Sequence, residues 1–372
     1  MKRWWRQLDP VLFGVTLALI GLGLLILISA TRWSGATSEP SRQLLHVLVG
    51  ALLMAGATAL DYRVLGRFSA PLYLLAAALL MAVLIPGVGE SAKGAQRWLS
   101  LGPLGAFQPS EMAKLVLIVV LARVLSAGRR GGVVSALALT GFMFVLIALQ
   151  PDLGTAMVLA AVCLVMLFVA GASPIVLAGL ITAGLAALPY VLKEYQRDRL
   201  LIFMNPELDP MGMGFSLVQS KTAIGSGGLW GKGYLQGPMT QNGFVPENWT
   251  DFIFSALGEE FGWVGAAGML LLFALLFLVV LRIARRSPDL EGSLVTMGVL
   301  ALLAFQLFVN IAMTTGLAPV VGIPLPFFSY GGSAMLLHMI GIGLVGSVSL
   351  RSRSRAPGAD LATGDPEWDS AR

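Results

Sequence analysis

The chain has 372 residues, of which 56% are hydrophobic and only 12% charged, with a formal net charge of +5 and a mean hydropathy of +0.81. A soluble domain carries about 25% charged residues, so a water-soluble globular fold is excluded. Apolar runs that are continuous rather than alternating exclude a β-barrel and point to a helical integral membrane protein in the lipid bilayer. The positive balance does not mark a nucleic-acid partner, because most basic residues sit in short loops between apolar runs, where they set topology.

The first apolar run, 11–30, follows Lys2, Arg3 and Arg6 and ends in Ile28-Ser29-Ala30. It resembles a signal peptide, but its length exceeds a signal core of about 7–15 residues, so it reads as an uncleaved first span. Nine further spans lie at 44–60, 71–88, 111–126, 132–149, 153–170, 173–192, 252–281, 293–315 and 331–350, with Pro71, Pro86, Pro109, Pro151, Pro174, Pro288 and Pro319 at or near their breaks. The reading is therefore an all-α membrane protein of about ten transmembrane helices. Residues 1–355 form a single polytopic domain, and 356–372 form a polar, disordered tail.

Arginine and lysine cluster at alternate ends of these spans: Lys2, Arg3 and Arg6; Arg63 and Arg67; Arg123, Arg129 and Arg130; Arg282, Arg285 and Arg286; Arg351, Arg353 and Arg355. The other short loops hold only Arg32, Arg42, Lys93 and Arg97. The bias places both termini in the cytoplasm and the long segment between spans seven and eight outside. That segment, Lys193 to Asp251, has no membrane-length apolar run and carries Arg197, Arg199, Lys221, Lys232 and many large apolar groups. A loop this long with such content is functional rather than disordered.

Acidic residues gather on the same side. Glu111 and Lys114 begin span four three residues apart, on one helix face, where they can pair. Ser110 is placed to cap that helix. Asp152 begins span six after Gln150-Pro151, and its competing role is an N-cap. Asp251 begins span eight. If that helix is continuous, Asp251 stands about 15 Å above the hydrocarbon segment Phe261–Leu281, and its face continues as Ser255, Gly258 and Gly262, a groove of small residues. Glu259 lies deeper and partly round the helix, and Glu260 opposite. Ionisable groups at membrane depth are functional candidates by default. The cytoplasmic span ends show almost only arginine.

Other features carry less. Gly225–Gly233 is rich in glycine but fails the phosphate-loop pattern, since Gly233 stands where Ser or Thr is required. One cysteine, Cys163, and two histidines, His46 and His338, make a zinc site improbable. Asn310, in span nine, reads as a helix-to-helix hydrogen-bonding residue.

Several segments together resemble one family. Asn310-Ile311-Ala312-Met313-Thr314-Thr315-Gly316-Leu317-Ala318-Pro319 and Gly322-Ile323-Pro324-Leu325-Pro326-Phe327-Phe328-Ser329-Tyr330-Gly331-Gly332-Ser333-Ala334 are similar to the signature of the SEDS proteins (shape, elongation, division and sporulation). Gln96-Arg97-Trp98-Leu99, Gln108-Pro109-Ser110-Glu111, Gln150-Pro151-Asp152-Leu153-Gly154-Thr155 and Trp249-Thr250-Asp251-Phe252-Ile253-Phe254 resemble it in the family's order. The resemblance spans about residues 10–350, and Pro324-Leu325-Pro326 with Gly227–Gly233 looks closest to the elongation branch.

The resemblance implies a ten-span, inverting glycosyltransferase in the bacterial cytoplasmic membrane. It would join lipid II, an undecaprenyl-pyrophosphate-linked disaccharide pentapeptide, into glycan strands outside the cell for elongation and rod shape. A class B penicillin-binding protein is the implied partner and Asp251 the implied essential residue. Asp251 then serves as base. Lys114, Arg97, Arg197, Arg199 and Lys221 are the cationic candidates for the pyrophosphate, a divalent cation such as Mg or Mn can share that task, and Glu111, Asp152 and Glu259 complete the expected substrate-binding set. Two other readings are a flippase of the lipid-linked precursor and a non-enzymatic scaffold. A flippase binds near the midplane on broken helices, whereas here the charges gather at one end.

Overall fold

The computed structural model describes residues 8–35, 38–87, 89–92, 95–100, 106–128 and 131–353. Lys2, Arg3, Arg6, Lys93, Arg129, Arg130, Arg355 and the tail 356–372 lie outside the described residues.

Helices fall on all ten expected runs. They are α1 (Pro10–Thr31), α2 (Ser38–Ala59), α4 (Ser69–Val83), α5 (Pro109–Ser126), α6 (Gly132–Leu149), α7 (Leu153–Val169), α8 (Pro174–Val191), α12 (Ile253–Arg285), α13 (Leu290–Thr314) and α14 (Gly332–Arg353). Six of them (α1, α2, α6, α12, α13 and α14) are long and apolar enough to cross a membrane by length and composition, and α4, α7 and α8 are shorter apolar helices. The segments between them form α3 (Tyr62–Arg67), α9 (Glu194–Met204), α10 (Met213–Gly227) and α11 (Pro238–Gln241). The 193–251 segment thus carries three α-helices rather than an unstructured loop.

The third run ends earlier than expected, at Val83 rather than 88. Beyond it the chain forms a small antiparallel sheet that the apolar pattern does not predict: β1 (Gly89–Ala92), β2 (Ala95–Ser100) and β3 (Ala106–Phe107), in the order β1-β2-β3. Its register pairs Glu90 with Trp98 and Leu99 with Phe107. The sheet holds Arg97 and Trp98 at the bundle's end.

One core runs through the bundle. Buried α13 packs against α5, α7 and α12, while α14 packs along α2 and α1 along α12. Small residues allow the closest approach: a Cβ on Gly343 would stand 2.5 Å from the Met54 carbonyl of α2.

The continuous helix expected below Asp251 is not observed. Gly262 has φ 62°, and α12 is broken there, a conformation glycine adopts without steric cost. The loop after α10 enters the break. Trp263 and Val264 donate to the carbonyls of Gly228 and Leu229 at 3.0 and 3.1 Å, and the Glu259 and Glu260 carbonyls accept from the amides of Lys232 and Gly233 at 2.9 and 3.0 Å. The backbone groups freed by the break are therefore paired, as a segment near the membrane demands. The expected groove below Asp251 is also filled. Gly258 lies against Ile224 and Gly227 of α10, and Ser255 returns its hydroxyl to the Phe252 carbonyl at 2.6 Å.

The basic ends are not purely basic, contrary to the expectation from sequence. Arg63 pairs with Asp289 at 2.6 Å, Arg282 with Asp9 at 2.5 Å, Arg351 with Asp61 at 3.1 Å and Arg123 with Glu291 at 3.2 Å. Tyr62 also donates to Asp289 at 2.9 Å. Partial burial pushes the Asp289 carboxyl up, but the Gly292 amide, Arg63 and Tyr62 outweigh it and hold it below its ordinary value.

Candidate active site

At the other end of the bundle a polar cavity of about 420 Å³ opens around Asp251. The segment leading to it begins with Glu247 at φ 56°, a left-handed backbone that costs a non-glycine residue energy and recurs at functional sites. The Glu247 carbonyl accepts from the Thr250 and Phe252 amides at 3.1 and 3.2 Å, and its carboxylate accepts the Thr250 hydroxyl at 2.9 Å. The N-cap of α12 falls on Phe252, which makes no side-chain cap bond, so neither Thr250 nor Asp251 caps this helix.

Three consecutive carbonyls are held from one side. That of Trp249 accepts from the Tyr330 amide at 2.8 Å, that of Thr250 from the Ser329 hydroxyl at 2.6 Å, and that of Asp251 from Asn310 Nδ2 at 2.9 Å. Asn310 Nδ2 also reaches the Ile323 carbonyl at 2.8 Å. Asn310 is therefore a positioning residue for Asp251, more specific than the generic helix contact the sequence suggested. Gly322, at φ 73°, lies beside the carboxylate: a Cβ there would stand 3.5 Å from Asp251 Oδ2. Backbone tethering fixes the aspartate while its side chain faces the cavity, where proximity and orientation count.

The same cavity is lined by Arg97 and Trp98 of β2, Glu111 of α5, Asp152 at the head of α7, and Arg199 of α9. Arg97 donates to the Gln150 carbonyl at 3.1 Å and to that of Pro151. Asp152 is the N-cap of α7, accepting the Thr155 amide at 3.1 Å, and accepts Gln108 Nε2 at 3.4 Å. It is both cap and cavity residue. Arg199 donates to the Val320 carbonyl at 3.1 Å. Burial first, and then the like charge of Arg97, pushes its guanidinium below the ordinary arginine value.

Glu111 and Lys114 pair as expected, at 2.7 Å, with side chains only 5% and 1% exposed. Glu111 lines the cavity while Lys114 does not, so the lysine sits behind the glutamate and acts on the cavity through it. Glu111 Oε2 is buried without a hydrogen-bond partner. The α5 cap falls on Gln108, not Ser110, whose buried hydroxyl has no partner either.

Three expected substrate-binding residues stand elsewhere. Arg197 and Lys221 are exposed and do not line the cavity. Glu259 is fully buried, its carboxylate accepting the Met239 and Thr240 amides at 2.8 Å each and the Thr240 hydroxyl at 2.6 Å. It is a lock for the strap 228–241, because α11 folds back over it and brings the Met239 and Thr240 amides to its carboxylate. Glu260 makes a second lock, accepting Ser29 Oγ at 2.5 Å and Gln241 Nε2 at 3.1 Å. Sequence reasoning missed Glu247, Trp98, Gln108 and Tyr330 as cavity residues. Trp98, Gln108 and Tyr330 stand in the segments that carry the family resemblance, and Glu247 stands four residues before Asp251; those were the signals.

Two apolar grooves meet this cavity. One, of about 520 Å³, runs between α2, α5 and α14 from Leu60 and Leu65 up to Phe107 and reaches the cavity at Glu111. The other, of about 270 Å³, lies under α9 against α7 and the end of α13, and reaches it at Arg199 and Val321.

Comparison with known proteins places this architecture. Stage V sporulation protein E of Bacillus subtilis is 40% identical, covering 93% of this chain and 98% of that protein. Peptidoglycan glycosyltransferase MrdB of Escherichia coli K12 is 38% identical over 93% and 95%. Among solved structures, one titled for the coordination of polymerization and crosslinking by a peptidoglycan synthase complex superposes with a TM-score of 0.80 at 34% identity, covering 94% of this chain and 99% of that one. Rod shape determining protein RodA of Thermus thermophilus gives 0.70 at 33%, covering 94% and 97%. The profile of the FtsW/RodA/SpoVE family of cell cycle proteins matches residues 10–354, and the chain, a multi-pass helical membrane protein, belongs to that family, the SEDS proteins.

Proposed function

We propose that this protein polymerises lipid II into peptidoglycan glycan strands on the outer face of the bacterial cytoplasmic membrane, in the service of cell elongation and rod shape. The observation that carries the reading is the cavity itself. It gathers a backbone-tethered carboxylate, Asp251, with Arg97 and Arg199 and opens beside apolar grooves suited to a prenyl chain. Asp251 takes the proton of the acceptor hydroxyl. The freed oxygen attacks the donor's anomeric carbon from the face opposite the pyrophosphate and inverts it, and the pyrophosphate departs with the bonding pair. Arg97 and Arg199 meet the charge that develops on it. Lys114 keeps Glu111 paired at the cavity's edge.

A divalent cation, Mg or Mn, belongs to this reading as a partner of the pyrophosphate. Among the described residues no three carboxylate, histidine or cysteine side chains form a metal cluster. That fits an ion held by one or two carboxylates, Asp251 or Asp152, with substrate phosphates completing its shell. Such an ion would neutralise phosphate charge.

A class B penicillin-binding protein is the proposed partner, supported by the similarity to the synthase complex. The purified protein, given lipid II, should form glycan chains visible on a gel. A protein that folds yet yields none, alone and with such a partner, removes the reading, and transfer of lipid II across a vesicle membrane in its place selects the flippase. Orientation is tested in whole cells of a Cys163→Ser background: Lys232→Cys should react with an impermeant thiol reagent and Arg286→Cys should not.

A further inference from the structure

We propose that the groove under α9 holds the prenyl chain of the glycosyl donor, the lipid that loses its pyrophosphate, and that the α2–α5–α14 groove holds the chain of the acceptor. This assignment rests on the polymerase reading. A reaction between two lipid-linked sugars brings two chains to one cavity at once, and two apolar grooves reach this one from different sides.

Their mouths differ in charge. The groove under α9 is walled by Leu153, Met157, Leu192 and Leu200, and its charged lining residue is Arg199. The guanidinium lies 5.9 Å from the Tyr195 ring, Nη1 is held by the Val320 carbonyl, and Nε is buried with no partner. Pro151, another lining residue, has its carbonyl held by Arg97. Two guanidiniums therefore stand at this mouth. The other groove ends at Glu111, whose Oε1 is taken by Lys114 and whose Oε2 has no partner.

The two substrates differ in the same sense. As the bond from the donor's anomeric carbon to its pyrophosphate oxygen breaks, the electron pair stays on the pyrophosphate and its negative charge grows. The acceptor gives a proton to Asp251, forms the new carbon–oxygen bond and keeps its own pyrophosphate unchanged. Only groups that interact more strongly in the transition state than before it accelerate the step. The arginine mouth is useful to the donor, and the neutralised Glu111–Lys114 mouth suffices for the acceptor. After each transfer the spent prenyl pyrophosphate lies under α9 and the lengthened strand lies in the α2–α5–α14 groove. The strand must then change grooves before the next addition.

The test uses the full-length protein carrying a photoreactive phenylalanine at Leu200 or at Leu53, one in each groove. The probe is lipid II whose acceptor hydroxyl is blocked by a galactose cap, so that it can only donate. Crosslinking should be at least tenfold stronger from position 200 than from 53, free undecaprenyl pyrophosphate should compete it away, and Arg199→Ala should weaken it. Uncapped lipid II should label both positions. Capped lipid II that labels position 53, or both equally, overturns the assignment. If either variant fails to fold, Leu200→Cys and Leu53→Cys bearing a photoreactive maleimide in Cys163→Ser protein give the same reading. A wild-type protein that makes no glycan from uncapped lipid II, alone and with a class B penicillin-binding protein, fails the polymerase reading instead, and the two failures are told apart in one preparation.

Discussion

At the end of the bundle opposite Asp251, opposite charges meet one another: Arg63 with Asp289, Arg282 with Asp9, Arg351 with Asp61, Arg123 with Glu291. At the Asp251 end, Arg97 and Arg199 give hydrogen bonds to the backbone carbonyls of Gln150, Pro151 and Val320, and the carboxylates of Asp152 and Glu111 are held by an amide, an amide side chain and Lys114. Charges that satisfy one another tie helices together. Charges fixed by the backbone around a cavity keep their fields directed at whatever enters. The difference separates an end built for stability from one built for a ligand, and mutation can break it on either side.

The largest effect is expected at Asp251. Asp251→Asn keeps the shape and the carbonyl tethers and removes the proton acceptor, so glycan formation should fall by about 10²–10⁴ with the melting temperature unchanged. Near-normal polymerisation would end its assignment as base. Next is Lys114→Ala, which strands a buried carboxylate. A cost of about 3–5 kcal/mol in stability is expected, read by thermal unfolding. Lys114→Met with Glu111→Gln should restore most of that stability but not the activity. Recovery of both would make the pair purely structural and move it to the other side of the comparison.

Glu259 is the control inside the active end. Glu259→Gln keeps one acceptor oxygen and sets an NH2 against an amide that Met239 or Thr240 donates, which should cost about 1–3 kcal/mol, with polymerisation per folded molecule retained. A large loss in turnover at unchanged stability would restore it to the substrate-binding set. The smallest effect is expected at Asp289. Its carboxyl sits below the ordinary value of 3.8, so its contribution is present above that pH and is lost as the pH falls through the lowered value. Asp289→Asn should destabilise by about 1 kcal/mol or less near neutrality and flatten the acid limb of the stability profile. A marked loss of polymerisation in that variant would break the division between the two ends.

The division was partly legible in the sequence. The apolar runs announced the bundle, because a span must be continuous and long, and the one-sided placement of Glu111, Asp152 and Asp251 announced the active end. Arg97 and Arg199 were legible as charge but not as place, since only strand β2 and helix α9 bring them to the cavity of Asp251. Arg197, two residues from Arg199, carries the same charge and lies outside the cavity. Glu259 was misplaced because nothing local says that the strap 228–241 will fold back over it and take both carboxylate oxygens, and the break at Gly262 was hidden because a run of that hydropathy reads as one helix. Its length was a signal: 33 residues of unbroken helix reach about 50 Å, more than a bilayer core needs. Asp9, Asp61, Asp289 and Glu291 were present in the chain, yet their partners are set by tertiary packing.

The break at Gly262 also bears on where this chain tolerates a change in length. The amides of Trp263 and Val264 and the carbonyls of Glu259 and Glu260 are paired with Gly228, Leu229, Lys232 and Gly233. One residue added or removed between 228 and 233 shifts that register and leaves main-chain groups beside the hydrocarbon without partners, each costly there. The turn at 205–212 is bonded to the start of α10 instead, Asp209 accepting the Met213 and Phe215 amides at 2.7 and 3.2 Å, with Leu208 and Met211 exposed. A change of length there disturbs a local turn, whereas one in the strap unpairs the broken helix, so the extramembrane segment is more tolerant in its first third and of fixed length where it enters the break.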